Sequence, residues 1–221
     1  MKLIIFPGAG DPHSAEYSKV YELLREKGGS FGYSEVDTSV RWPGQFLSNR
    51  ETTAALNLKS AVAAARSALN KCETSGEPYD ILARSFGTSV ALGATMDGKH
   101  SNLRRIILWG AVPHWKVWEL FVQNFESVKR ISEEKGVRID REFYGSCEPT
   151  EALLLKNPHQ IVIAVGSRDK YSSREFHYYL LTLLMGKTNV TFRPPVEGAP
   201  HEVTGDLPDQ VVQDFCNAVL S

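Results

Sequence analysis

Ser85 stands between small residues in "ARSFG", Asp169 sits in "GSRDKYS", and His201 sits in "EGAPHEV". A glycine-rich turn, Pro7-Gly8-Ala9-Gly10, follows the first apolar run of the chain. A serine, a carboxylate and an imidazole are the groups that nucleophilic acyl transfer uses. A serine hydroxyl is a poor nucleophile until a base takes its proton, and His201 is the candidate base. Asp169 would hold the imidazole in the required tautomer and stabilise the imidazolium. The tetrahedral intermediate then needs N–H donors aimed at its oxyanion. The backbone N–H of Phe86, next to the serine, is one candidate, and that of Ala9 is the second. Gly8 and Gly10 would let that backbone come close to a substrate.

These groups cooperate only if the chain brings them to one place. Short apolar runs alternate with longer helical patterns. "KLIIF" (2–6), "FGYSEVD" (31–37), "YDILA" (79–83), "RRIILWGAV" (104–112), "HQIVIAVGS" (159–167) and "NVTFRPPVEG" (189–198) have the composition of strands. The spacing of Tyr17, Val20, Tyr21 and Leu24 predicts a helix over 14–28, and the Ala- and Leu-rich stretch 53–72 predicts a second. Further helices are expected over "TSVALGATMDG", over 171–186 and in the closing segment from 206. Strands apolar throughout, separated by helices, imply an α/β protein with a doubly wound, mostly parallel sheet of about six strands. In such a sheet every turn that follows a strand lies on one edge. Ser85, Asp169, His201 and the Gly8–Gly10 turn each follow a strand, so they converge there. The stretch "YDILARSFGTSVALG" changes from strand-like to helix-like spacing at Ser85 itself.

Those residues carry a resemblance. "ARSFG" resembles the nucleophile elbow G-x-S-x-G of the α/β-hydrolase fold, with Ala83 in place of the first glycine, and the order Ser, acid, His is similar to that superfamily's chain order. The resemblance covers nearly the whole chain. It implies a single α/β-hydrolase domain over 1–221, catalytic roles for Ser85, Asp169 and His201, and a serine hydrolase acting on a carboxylic ester or thioester through an acyl-enzyme. Ala83 adds one methyl, which the turn is expected to tolerate. Arg84 is not demanded by the turn. It either pairs with a carboxylate or binds an acidic group of the substrate. Residues 113–158 hold more than one helix's worth of chain, with Trp115, Trp118 and Phe121, and read as a small lid over the sheet edge, or as a crossover helix with an extra turn. Trp115 is counted with Gly8, Gly10 and Arg84 as a substrate-binding candidate.

Rival groups exist. Of the six histidines, His13 and His114 also follow strands and could act as bases. His159 precedes a strand, His177 lies in a helical pattern and His100 in a polar turn. Asp37 and Glu197 read as loop acids, and Asp11 would oppose an oxyanion unless it points outward. Trp42, Trp109 and Trp115 are each either acyl-pocket walls or core.

Composition narrows the field further. The formal net charge is −1 over 221 residues, which gives no field for nucleic acid or anionic membrane. The three cysteines, Cys72, Cys147 and Cys216, form no CxxC pair. The apolar run at the N-terminus is too short for a signal peptide or a membrane span, so a cytoplasmic protein is expected. No cofactor or metal is implied, and the expected partner is a small-molecule ester or thioester. A dinucleotide turn at "PGAGDPH" is disfavoured because the third glycine position falls on His13. A non-catalytic protein on the same fold, and C–C hydrolysis or perhydrolysis with the same three groups, stand as alternatives. Serine rather than aspartate at the elbow argues against a dehalogenase.

Overall fold

The computed structural model describes residues 1–9, 15–43, 57–113, 130 and 150–221. Six parallel strands form one sheet: β1 (Lys2–Phe6), β2 (Glu35–Asp37), β3 (Tyr79–Arg84), β4 (Leu103–Trp109), β5 (Gln160–Ala164) and β6 (Val190–Phe192), in the order β2-β1-β3-β4-β5-β6. The described helices are α1 (Ala15–Gly28), α2 (Leu58–Ser75), α3 (Phe86–Thr95), α4 (Thr150–Lys156), α5 (Arg174–Leu183) and α6 (Asp209–Leu220). The six strand readings and the helices between them are present, so the doubly wound α/β architecture stands.

Alternation along the strands sorts the core into two halves. Ile4, Phe6, Ile81, Ala83, Ile106, Leu108, Ile161 and Ile163 face α2–α5, while Leu3, Ile5, Leu82, Ile107, Trp109 and Val162 face α1 and α6. Successive strand side chains point to opposite faces, so a strand that reads as a continuous apolar run is one buried on both. All six residues of β3 are buried, as befits a central strand between β1 and β4.

Local signals set the helix ends. Asn57 caps α2, its Oδ1 accepting the Ser60 N–H at 2.9 Å, and Gly76 closes it with φ 70°. Ser173 caps α5 by accepting the Phe176 N–H. The strand expected over 31–37 is shorter than predicted: Gly29–Phe31 form a 3-10 turn first, and only Glu35–Asp37 pair with β1. The lid expected over 113–158 lies outside the described residues between 114 and 129 and between 131 and 149. Its end is α4, packed against α3 and part of the core through Leu153 and Leu154.

At the N-terminal edge of the sheet, Asp80 is fully buried. Its Oδ2 accepts from Tyr33 Oη at 2.5 Å and Arg105 Nε at 2.7 Å, and Arg105 also reaches the carbonyls of Leu220 and Ser221 at 2.9 Å each. This ties β3 and β4 to the end of α6. No helix among the described residues is long and apolar enough to cross a membrane.

The strand order reverses at β1, whose neighbours are β2 and β3. Ligands of open α/β sheets bind in the crevice that such a reversal leaves at the C-terminal strand ends. Gly8 follows β1 and Ser85 follows β3, so both stand at that crevice.

Candidate active site

Ser85 occupies a strained turn. Its backbone lies at φ 51°, ψ −123°, and among the described residues it alone combines positive φ with a side chain. Such a conformation costs about 1–3 kcal/mol and persists only when its surroundings hold it. Ser85 N–H donates to the carbonyl of Trp109 at 3.1 Å, and the Ser85 carbonyl accepts from Thr88 N–H at 2.9 Å and Thr88 Oγ1 at 2.6 Å. The glycine two places on is required sterically. A Cβ on Gly87 would lie 2.5 Å from the Pro7 carbonyl oxygen and 2.6 Å from that of Phe6. Any side chain there would push α3 off β1. Ala83, the departure from the elbow pattern, is accommodated within the core without exposure.

The turn delivers the serine to His201. Ser85 Oγ lies 2.7 Å from His201 Nε2, and His201 Nδ1 lies 2.8 Å and 2.9 Å from the two oxygens of Asp169. Imidazole and carboxylate are both buried, and Asp169 Oδ1 also accepts the backbone N–H groups of Tyr171 at 2.8 Å and Ser172 at 2.7 Å. Those two bonds fix the carboxylate before it meets the ring.

Four supporting features were not singled out in the sequence for these roles. The Trp109 indole N–H donates to the His201 carbonyl at 3.0 Å. The Tyr171 ring lies 4.7 Å from the imidazole, centroid to centroid. Gly110, at φ 59°, leaves space for the Asp169–His201 pair, since a Cβ there would be 2.9 Å from both Asp169 Oδ2 and His201 Nδ1. Gly166 lets the acid loop pass the histidine loop, where a Cβ would sit 2.0 Å from the Ala199 carbonyl oxygen. The glycines follow strands in the sequence, which marks turns, but not which turns face the site.

The loop after β1 closes the other side. A Cβ on Gly8 would lie 3.3 Å from Ser85 Cβ and 3.8 Å from Ser85 Oγ, so a side chain would crowd the serine. Ala9 packs against the core half that contains α3, and Phe86 opens α3 directly after the serine. The Pro7 carbonyl accepts the Trp42 indole N–H at 3.0 Å, and Trp42 packs edge-on against Phe6 at 5.2 Å. Trp42 and Trp109 are therefore buried struts for the loops around the site. Gly10, Asp11, His13, His114 and Trp115 lie outside the described residues.

No carboxylate among the described residues pairs with Arg84. Its guanidinium lies over the Tyr17 ring, 4.5 Å from the centroid, and the residue is 6% exposed. Tyr17 Oη donates to Glu202 at 2.9 Å, and burial holds that phenol protonated, its pKa pushed well up. Gly8, Tyr17, Arg84, Ser85, His201 and Glu202 line one cleft. It spans about 310 Å³ with the open solvent at its mouth. A roomier hollow of about 550 Å³, lined by Ser167, Arg174, Pro195 and Glu197, touches neither the serine nor the imidazole.

The remaining rivals stand elsewhere. His177 is buried against Phe192, and His100 and His159 face each other at 6.2 Å before β4 and β5, on the opposite edge. Asp37 accepts the Ser39 N–H in a turn, and Glu197 lines the other hollow. Cys72 and Cys216 are free thiols; Cys147 lies outside the described residues.

No family model matches the sequence, and no curated protein matches it. Solved structures do. A puromycin-hydrolysing peptidase of Mycobacterium tuberculosis superposes with a TM-score of 0.65 at 15% identity over 99% of this chain, which spans about a third (32%) of that protein. A monoacylglycerol lipase of Paleococcus ferrophilus gives 0.60 at 18% identity, covering 99% of this chain and 92% of the lipase. The esterase domain of a Rhodothermus marinus protein gives 0.60 at 15% identity, covering 99% and 83%. At such identities the likeness speaks to the fold.

Proposed function

The chain has the α/β-hydrolase fold, and on that frame we propose that it is a serine hydrolase cleaving a carboxylic ester or thioester through an acyl-enzyme on Ser85. The observation that carries this reading is the unbroken chain of hydrogen bonds from Asp169 through His201 to Ser85 Oγ, ending at a distance of 2.7 Å. Three distant stretches of sequence meet there in the order that nucleophile, base and orienter require.

The chemistry follows from the geometry. Ser85 Oγ attacks the scissile carbonyl carbon while His201 Nε2 takes its proton. The carbonyl π pair moves to oxygen, and the N–H groups of Phe86 and Ala9 receive that oxyanion. Donors held in place before the charge develops lose no energy to reorganisation, and removing one such donor costs about 10²–10³ in rate. Asp169, itself fixed by the Tyr171 and Ser172 amides, keeps the Nδ1 proton toward itself and Nε2 free to accept. Collapse of the intermediate breaks the bond to the leaving alkoxide or thiolate, which takes the proton from Nε2. Water then repeats the sequence: His201 takes its proton, the hydroxyl attacks the acyl carbon, and Ser85 leaves with the proton returned. Tyr171 beside the ring and Trp109 behind its backbone limit the imidazole to this one position.

A fluorophosphonate probe should label the wild-type protein at Ser85, and Ser85→Ala should not react. His201→Ala should lower kcat on p-nitrophenyl esters or acyl-CoA thioesters by about 10⁴ or more. Labelling that survives Ser85→Ala would remove the serine from its proposed role. A wild-type protein that neither reacts with the probe nor hydrolyses any of these substrates would favour a non-catalytic protein on the same fold.

A further inference from the structure

Arg84 carries a charge that the described residues do not answer. The side chain is 6% exposed, its Nε is buried without a hydrogen-bond partner, and no carboxylate among the described residues forms an ion pair with it. The Tyr17 ring supplies a cation–π contact, which offsets part of the cost of burying the charge. Taking an unpaired cation out of water carries a large desolvation cost. A brace for Tyr17 would not need a charge, since the aliphatic stem of any long residue would pack on that ring. A planar fork of N–H donors has the shape that a carboxylate fits bidentately.

The place matters as much as the charge. β3 sends Ala83 to the α2–α5 half of the core, so the alternation of the strand turns Arg84 toward α1, where Tyr17 meets it. The cleft that Arg84 lines is also lined by Ser85 and His201. Gly8 lines the same cleft, and a Cβ there would stand 3.3 Å from Ser85 Cβ and 3.7 Å from the Arg84 carbonyl oxygen. Glu202 shares the cleft, but it is exposed and its carboxylate accepts the hydrogen bond of the Tyr17 hydroxyl.

We propose that Arg84 is the specificity-determining residue of this site, and that the substrate is an ester or thioester bearing a free carboxylate a few bonds from the scissile carbonyl. This rests on the hydrolase reading of Ser85. The carboxylate can be carried by the acyl group or by the leaving alcohol, and the test separates the two.

Binding to Ser85→Ala protein needs no turnover, so calorimetry on that variant tests the subsite alone. Two pairs of nearly isosteric ligands differ only in the charged group: monomethyl succinate against methyl 4-oxopentanoate for the acyl side, and acetoxyacetate against acetoxyacetone for the alcohol side. In one pair the anion should bind at least about tenfold more tightly than its neutral partner, the range expected of a charge-assisted bidentate contact. Adding Arg84→Gln should bring that ratio to about one, Arg84→Lys should retain part of it, and Glu202→Gln should raise it. Arg84→Lys keeps the cation and the stem, so it guards against a glutamine variant that folds poorly. A ratio near one in both pairs, or a preference that survives Arg84→Gln, overturns the proposal. A clear anion preference in a protein whose wild type hydrolyses neither anionic ester supports the subsite and removes the hydrolase reading. Fluorophosphonate labelling with no anion preference does the reverse.

Discussion

Gly110 does for the Asp169–His201 pair what Gly87 does for the serine turn: it keeps a side chain away from a place where two segments must touch. Its φ of 59° disfavours any residue with a Cβ, and a methyl there would stand 2.9 Å from both Asp169 Oδ2 and His201 Nδ1. Something must then shift, and the loop carrying His201 has less support than the end of β4. Gly110→Ala should therefore lengthen the acid–base hydrogen bond and turn the imbalance into lost rate. An error of about 1 Å in the placement of a catalytic group costs on the order of 10²-fold. We expect kcat on a neutral p-nitrophenyl ester to fall by about that factor with KM little changed, while the strained φ takes roughly 1–3 kcal/mol from stability. Steady-state kinetics and thermal unfolding of the same preparation separate the two effects. A variant that loses stability but keeps kcat would make Gly110 a turn residue and nothing more. The meeting of Ser85, Asp169 and His201 was legible because each follows a strand and because the sequence changes period at Ser85. Gly110 was not, since its importance depends on which loop comes to rest above it. That depends on strand order, which one sequence does not display.

At the scale of the elements, the site is held by the ends of strands tied to the loops beyond their neighbours. β4 ends on Trp109, whose ring packs edge-on against Phe215 of α6 at 4.7 Å and whose indole N–H holds the His201 carbonyl at 3.0 Å. β1 is tied similarly through the Pro7 carbonyl and Trp42. Trp109→Phe would retain most of the apolar packing and lose only the N–H. A buried carbonyl left without a donor costs about 1–3 kcal/mol, and the histidine loop is where that cost falls. The expected result is a lower kcat together with faster backbone amide exchange over 199–203 than over β4. Equal exchange in variant and wild type would show that the loop does not depend on this bond. The tryptophans mark where reading the sequence stopped short. Both stand at or after strand ends and were open to being pocket walls or core. Alternation along β4 places Trp109 on the α1–α6 face only once the register with β3 and β5 is known. β2 was overextended for a different reason. Phe31 and Tyr33 have strand-like composition, but Gly28 and Gly32 flank the 3-10 turn Gly29–Phe31, and local backbone freedom prevailed over composition.

Across the whole molecule the two edges of the sheet do different work. The C-terminal edge accepts strain at Ser85 and a charge at Arg84 that no carboxylate among the described residues pairs with. The N-terminal edge is tied by Asp80, Tyr33 and Arg105 to the chain's last carbonyls. Titration should register that division, because groups that cost stability when charged lie away from the nucleophile. Burial holds His177 in the core beside Phe192 below the ordinary imidazole value of 6.5, and burial, helped by His100, does the same to His159 ahead of β5. A folded-state pKa below the unfolded one means that the unfolded chain binds protons first as the solution is acidified. Stability from these groups is thus complete above about pH 6.5, and is lost as pH falls through their folded-state values. Each such site can contribute a slope of at most about 1.4 kcal/mol per pH unit within that window. His177→Phe removes one titrating site while keeping an aromatic ring against Phe192. Urea unfolding measured at intervals from about pH 7.5 to 5 should show a shallower acid-side decline in the variant than in the wild type, with the two curves closest in slope at the alkaline end. Parallel curves across the whole interval would mean that His177 is protonated as readily in the folded protein as in the unfolded chain, and would exclude it from the acid response.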